Sequence, residues 1–236
     1  MPPKISFVIP AYNEEKFIGP CIDSILDEMR GKNTEYEILV VNNASSDGTK
    51  NVALEHGARV VDEPRKGLTK ARQCGLQNAR GEWLAHIDAD CRLSKTWFEN
   101  LQKLQKKYPH AVCISGPYHY YDAPFFSKVM LTIMWNFFAP ITYRLVGYMA
   151  LGGNFTAKKE ALLATGGFDE NIDFYGEDTN IARRLSKVGD VIFSMKFFVL
   201  SSARRFASQG LIKINVIYGV NFVWEVLFKK PFNKKS

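Results

Sequence analysis

Gly81-Glu82-Trp83-Leu84-Ala85-His86-Ile87-Asp88-Ala89-Asp90 is the stretch on which the fold turns. Glu82–Ile87 is mostly apolar, long enough for a buried strand and too short for a helix. It stops abruptly at two carboxylates, two residues apart. Upstream, the 67–79 segment reads as a helix, and downstream Lys95 to Tyr108 reads as another. A strand between two helices, with its polar residues at the carboxyl end, is the unit of an α/β protein with a parallel sheet.

The rest of the first half repeats that unit. Ile5–Ile9 is an apolar run ending at Pro10. From Glu14 to Arg30, the residues Phe17, Ile18, Cys21, Ile22, Ile25, Leu26 and Met29 fall on one helical face. Glu37–Val41 reads as a second strand and ends in Asn42-Asn43. Ser45-Ser46-Asp47-Gly48 is a turn with capping residues ahead of a helix to about His56. Ala58–Val61 is a short third strand. The expected fold class is therefore a Rossmann-like, mostly parallel α/β sheet flanked by helices. Beyond Ala111 the rhythm changes. Val112–Tyr121 reads as one strand and Val191–Val199 as another, with helices at Lys158–Thr165 and Asp178–Val188. Pro124–Tyr148 is apolar and aromatic, but Pro140 interrupts it, which makes it short for a membrane span.

Composition sets bounds on function. The chain has 236 residues, 46% of them apolar, enough for a substantial core and too apolar for a disordered chain. The formal net charge is +7, yet Arg204–Ser236 holds seven basic residues and one acid, a share of +6, leaving +1 for the first 203 residues. A nearly neutral body with a basic tail suits an anionic lipid surface better than a nucleic acid, and no nucleic-acid-binding motif competes. Cys21, Cys74, Cys91 and Cys113 form no C-x-x-C pair and are expected as free thiols. The short apolar run near Met1 is too brief for a secretory segment, so a cytoplasmic location is expected, with peripheral attachment to the cytoplasmic face of a membrane.

Three polar clusters follow three strands: Pro10 to Glu14, Asn42-Asn43, and Asp88 to Asp90. In an open parallel sheet, ligands bind outside the carboxyl ends of the strands, so the clusters converge on one crevice. Asp88 and Asp90 read either as solvated acids of a surface turn or as ligands of a hard divalent cation, magnesium or manganese, shared with phosphate oxygens. Tyr12 is placed to stack on or flank a base, and Asn43 reads either as pairing with a base edge or, with Asn42, as turn chemistry. Arg65, Lys66 and Arg72 lie near a helix start where phosphates bind. Asp178 reads either as an N-cap or as a general base reaching an acceptor hydroxyl. His86 reads as a strand side chain, not a ligand.

Taken in order, FVIPAYNEE (7–15), VVNNASSDGT (40–49), GLTKARQCGLQNARGEWLAHIDAD (67–90), GGFDE (166–170) and GEDTNIARRL (176–185) resemble the family 2 glycosyltransferases, inverting nucleotide-sugar enzymes of the A-type glycosyltransferase fold. The resemblance covers about residues 4–200. It implies that Pro10, Tyr12 and Glu14 line the nucleotide pocket with Asn43, Arg72 and Ala89, and that Asp88 and Asp90 hold a divalent cation against the diphosphate, Asp90 being the more direct ligand. It implies Asp178 as the catalytic base with Glu177 beside it, and Gly152-Gly153-Asn154 as an acceptor-side loop. One departure stands out: the family commonly carries Asp-Asp or Asp-Asn where this chain has Asn42-Asn43. The implied partners are a UDP- or GDP-sugar donor and a glycan or lipid-linked acceptor. The alternative is a non-catalytic scaffold or partner subunit.

The expected organisation is a catalytic domain over residues 1–203 and a basic, apolar tail over 204–236. In the tail, Gly210–Phe228 carries Lys213 and Glu225 as its charges, and Tyr218, Asn221 and Glu225 share one face of a helical wheel. A helix of that kind lies in a membrane interface or packs on protein.

Overall fold

The structure, a computed structural model, describes residues 3–172, 176–210, 219–221, 224, 226 and 228. In chain order the elements are β1 (Ile5–Ala11), α1 (Glu15–Met29), β2 (Tyr36–Asn42), α2 (Thr49–Glu55), β3 (Arg59–Asp62), α3 (Leu68–Asn78), β4 (Trp83–Ile87), β5 (Cys91–Leu93), α4 (Trp97–Lys107), β6 (Ala111–Ser115), β7 (Tyr118–Tyr120), α5 (Phe125–Val146), β8 (Asn154–Lys158), α6 (Lys159–Ala164), α7 (Glu177–Leu185), β9 (Asp190–Phe193), β10 (Val199–Ser201) and α8 (Arg204–Gln209).

Seven strands form the central sheet in the order β3-β2-β1-β4-β8-β6-β9. Every pairing is parallel except those of β8, which runs antiparallel to both β4 and β6. The expected mostly parallel α/β sheet is what forms. Its strands are buried on both faces, so they read as continuous apolar runs rather than alternating ones. Alternate residues still divide between two cores. Phe7 and Ile9 pack with Ile18, Ile22, Ile25 and Trp97 on one side. Val8, Leu39 and Val41 pack with Ala71, Leu76, Phe155 and Ile181 on the other.

β1 has β2 on one side and β4 on the other, so the strand order reverses there. The crevice at such a switch point opens at the carboxyl ends of these strands. Tyr12 to Glu14 leave β1 into it, and Asp88 to Asp90 leave β4 into it.

Three expectations change. The strand read over Val112–Tyr121 is two, β6 and β7, and the one read over Val191–Val199 is likewise β9 and β10. In each case the chain bends out of the large sheet, and β7 and β10 pair with each other in a second sheet of order β5-β10-β7. Gly116 marks the bend, because a Cβ there would collide with the backbone carbonyl of Phe197. The third change concerns Pro140, which does not interrupt its segment: α5 runs unbroken through it for 22 residues. A proline inside a helix forfeits one backbone hydrogen bond and tends to kink the helix; it need not end it. The helix read in Gly210–Phe228 lies largely outside the described residues.

Candidate active site

The crevice gathers five carboxylates and two guanidinium groups. Glu14 follows β1. Asp88 and Asp90 follow β4. Glu177 and Asp178 open α7, behind Gly176, whose φ of 92° places it in the left-handed region that glycine adopts without strain.

Arg72, on α3, is the link between the last two groups. It is buried, and its two terminal nitrogens point to Glu177 Oε1 at 3.2 Å and Asp88 Oδ1 at 3.4 Å. This corrects the expectation that Arg72 meets phosphates at a helix start. It sits in the second turn of α3, under the loop that precedes β8, and its charge is spent holding two carboxylates in position. Gly152 and Gly153 cover it closely. A Cβ on Gly152 would collide with the Arg72 guanidinium, and one on Gly153 would collide with the Asp88 carboxylate. The Gly152 N–H points to Asp178 Oδ2 at 3.4 Å, and the Gly153 N–H donates to the Tyr118 hydroxyl at 2.7 Å. One glycine loop therefore touches Asp88 and Asp178 together, and the two expected centres share one cleft.

The carboxylates of α7 differ in setting. Glu177 is buried against Arg72, and burial together with repulsion from Asp178 pushes its carboxyl up to about 7. Asp178 is partly exposed, accepts the Thr179 N–H at 2.7 Å, and is raised by desolvation. Of the pair, Asp178 is the one open to the cleft.

The other end of the cleft holds a residue that sequence reasoning counted with the tail. Arg204, the first residue of α8, places Nε 2.9 Å from Asp90 Oδ2, pairs with Glu14 and stacks over the Phe17 ring at 4.3 Å. Asp122 fixes the turn before it by accepting the Ser202 hydroxyl and the Ala203 N–H. Burial raises the carboxyls of Glu14 and Asp90, neighbouring acids add to this, and Arg204 opposes it. In the sequence Arg204 falls in the phrase Ser202-Ala203-Arg204-Arg205-Phe206.

The residues expected on the nucleotide side fall into three groups. Tyr12 is exposed, with Lys66 Nζ 2.8 Å from its hydroxyl and 4.6 Å from its ring centroid. Pro10 and Ala89 are buried wall residues. Asn43, read from sequence either as pairing with a base edge or as turn chemistry, has its side-chain amide engaged by backbone. Both its amide hydrogens go to backbone, to Glu63 O at 3.0 Å and Arg65 O at 2.8 Å, and its oxygen accepts the Gly67 N–H at 2.9 Å. It holds the 63–67 loop to the end of β2. Arg65 is tied to Glu63 and Glu170. His86 is the buried strand residue expected, stacked on Phe155 with ring centroids 4.5 Å apart and held neutral by burial. All four cysteines are free thiols, and burial raises those of Cys21, Cys91 and Cys113.

Does the cleft fit a divalent cation? Among the described residues, no three His, Cys, Asp or Glu side chains form a ready-made cage. Two carboxylates supplemented by phosphate oxygens and water are nevertheless the usual environment of magnesium. Glu14 Oε2 is also buried here with no hydrogen-bond partner. The donor set, all hard oxygens, fits such an ion.

Comparison with known proteins agrees with this geometry. The family model described as glycosyl transferase family 2 matches residues 6–165. Glycosyltransferase AglE of Haloferax volcanii is 33% identical over 103 residues, covering 41% of this chain and 34% of that protein. Dolichyl-phosphate beta-glucosyltransferase ALG5C of Trichomonas vaginalis is 38% identical over 109 residues, covering 42% and 32%. The matched segments thus span about a third of those relatives' length. Among solved structures, the mannosyltransferase PcManGT of Pyrobaculum calidifontis, in complex with GDP-Man and Mn2+, superposes with a TM-score of 0.73 at 18% identity, over 97% of this chain and 64% of that one. The shared architecture is the A-type glycosyltransferase fold.

Proposed function

Because the chain belongs to glycosyl transferase family 2, we propose that it transfers a sugar from a UDP- or GDP-linked donor to a hydroxyl acceptor, a glycan or a lipid-linked molecule, with inversion at the anomeric carbon. The observation that carries this reading is the shared glycine loop: Gly153 closes on Asp88 while Gly152 donates to Asp178, with Arg72 beneath both. A donor-binding acid and an acceptor-side base are thereby held across one cleft.

In this reading the donor base lies near Tyr12 and Pro10, and the diphosphate lies at the end of β4. Asp90 and Asp88 would hold magnesium or manganese there, and such an ion supplies neutralisation of the charge on the leaving diphosphate. The Mn2+ and GDP-Man in the Pyrobaculum structure support the choice of ion and donor class. Arg204 holds Asp90 and Glu14 in place from the other side. Asp178, open to the cleft, takes the acceptor hydroxyl proton as that oxygen attacks the anomeric carbon. The sugar–phosphate bond breaks on the opposite face, the electron pair stays with the nucleoside diphosphate, and a single displacement inverts configuration. Glu177 stays back on Arg72 and sets the field in which Asp178 works.

We assign the catalytic domain to residues 1–203 with Arg204 reaching in from the segment that follows. Calorimetric titration with UDP and GDP, with and without Mn2+, tests the donor side. Tighter binding of one of them with Mn2+ is expected, and loss of that gain in Asp90→Ala. Equal affinity with and without the ion would contradict the reading.

A further inference from the structure

Among the described residues, α5 presents the most exposed apolar surface. Its 22 residues include no acid and two bases, Lys128 and Arg144, placed toward its two ends. Phe125 is 84% exposed, Phe137 64% and Leu145 82%, and Phe126, Ile133 and Ile141 are also exposed. At about 100° per residue these six side chains cover an arc of roughly 200°. A helix that packs on a protein core offers a stripe of about 100°, so one further helix or a second copy would leave half of this surface wet. The opposite side is already used: Trp135, Ala139 and Tyr143 pack with Met149 and Phe193.

By length and composition α5 is long and apolar enough to cross a membrane. Its anchoring shows that it lies flat instead. Trp135, near its middle, meets the Tyr118 ring with centroids 6.5 Å apart. Tyr118, on the strand that leads into α5, accepts a hydrogen bond from Gly153, in the loop that leaves it. Entry and exit are in contact, and the middle of the helix rests on the same domain. A spanning helix about 33 Å long has its ends on opposite sides of the bilayer.

We propose that α5 docks the protein on an anionic lipid surface, lying in the plane of the interface with its arc of Phe, Ile and Leu side chains among the acyl chains. Interfacial helices bury an apolar face to about 5–10 Å and gain from cationic flanks. The charge complement is present. Arg144 is exposed near the C-terminal end of α5, Lys128 near its start donates to Tyr121 O at 3.0 Å, and the segment from Arg204 onward carries the +6 excess. That segment starts beside β7, the strand that leads into α5: Phe206 packs edge-on against Tyr120 with centroids 5.0 Å apart. The proposal moves the main lipid contact from the tail to α5 and makes the tail its electrostatic partner. Through Trp135, Tyr118 and Gly153 the packed side of α5 adjoins the cleft. The lipid contact itself stands independently of the reaction assigned to the cleft.

Flotation of the full chain on vesicles of phosphatidylcholine, with and without phosphatidylglycerol, tests this. The wild type is expected to float with the anionic vesicles, less so at high salt. The triple variant Phe126→Glu/Phe137→Glu/Leu145→Glu, with the tail intact, should lose about tenfold or more in partitioning, with an unchanged thermal melt. Phe137→Trp should give a fluorescence blue shift on anionic vesicles, a readout that needs no destabilising change. Equal flotation of wild type and triple variant would overturn the proposal, as would a wild type that floats with neither vesicle. So would a dimer in solution that the triple variant converts to monomer while the wild type ignores lipid.

Discussion

Arg204 Nε lies 2.9 Å from Asp90 Oδ2, joining two residues 114 positions apart. The same guanidinium pairs with Glu14, so the two donor-side acids that burial disfavours share one fixed cation. Arg204 therefore competes with any metal ion for Asp90. Replacing it with Ala should tighten Mn2+ binding to the free protein by about fivefold, the scale of one partly exposed ion pair. Electron paramagnetic resonance titration of free Mn2+ measures this. Unchanged or weaker binding would mean that Arg204 does not oppose the ion.

Arg72 carries the largest structural consequence. Removing it leaves Glu177 buried without its partner and Asp88 without one of its contacts. Loss of one member of a buried pair costs about 3 kcal/mol or more. Arg72→Met should therefore lower the urea midpoint markedly, while Arg72→Lys, which keeps the charge and loses the fork, should fall between. A midpoint equal to wild type would remove Arg72 from this role.

The pH dependence follows from Glu177 and Asp178. Both carboxyls are raised by burial, Glu177 to about 7. The base, Asp178, must be ionised, and desolvation raises its carboxyl, so kcat/KM should climb with pH above the ordinary carboxylate range and then level off. Arg72 lowers the Asp178 carboxyl, and Glu177→Gln frees that charge from its ion pair with Glu177, so the climb should move to lower pH. Linkage sets the matching stability effect. A carboxyl raised from 4.5 to about 7 contributes stability that is full below 4.5 and is lost as pH rises through about 7. A pH–rate profile of wild type and Glu177→Gln checks the sign; a descending limb across this range would refute it.

Much of the scaffold was legible because its signals are local. The heptad-like run from Phe17 to Met29 and the apolar strands at Ile5, Glu37 and Glu82 need no partner to be recognised, and they place Glu14, Asp88 and Asp90 at strand ends. What the reading missed depends on distant atoms. The breaks between β6 and β7 and between β9 and β10 exist because those strands leave one sheet for another, and Gly116-Pro117 is a local sign of the first. β8 is short, antiparallel and follows two glycines, so it lacks the strand–helix rhythm. Asn43 and Arg72 were correctly placed near the cleft, but their partners, backbone carbonyls in one case and two acids in the other, are set by tertiary structure. Arg204 was assigned to the tail by charge counting, which sees a segment's sum and not where one side chain reaches.

The most direct test compares wild type with Asp178→Asn in a screen of UDP- and GDP-sugars with Mn2+, following both donor binding and release of nucleoside diphosphate. The expected result is one donor that both proteins bind with similar affinity and that the variant turns over about 10²–10⁴-fold more slowly. Turnover by Asp178→Asn at the wild-type rate, or no donor bound by either protein, would contradict the account.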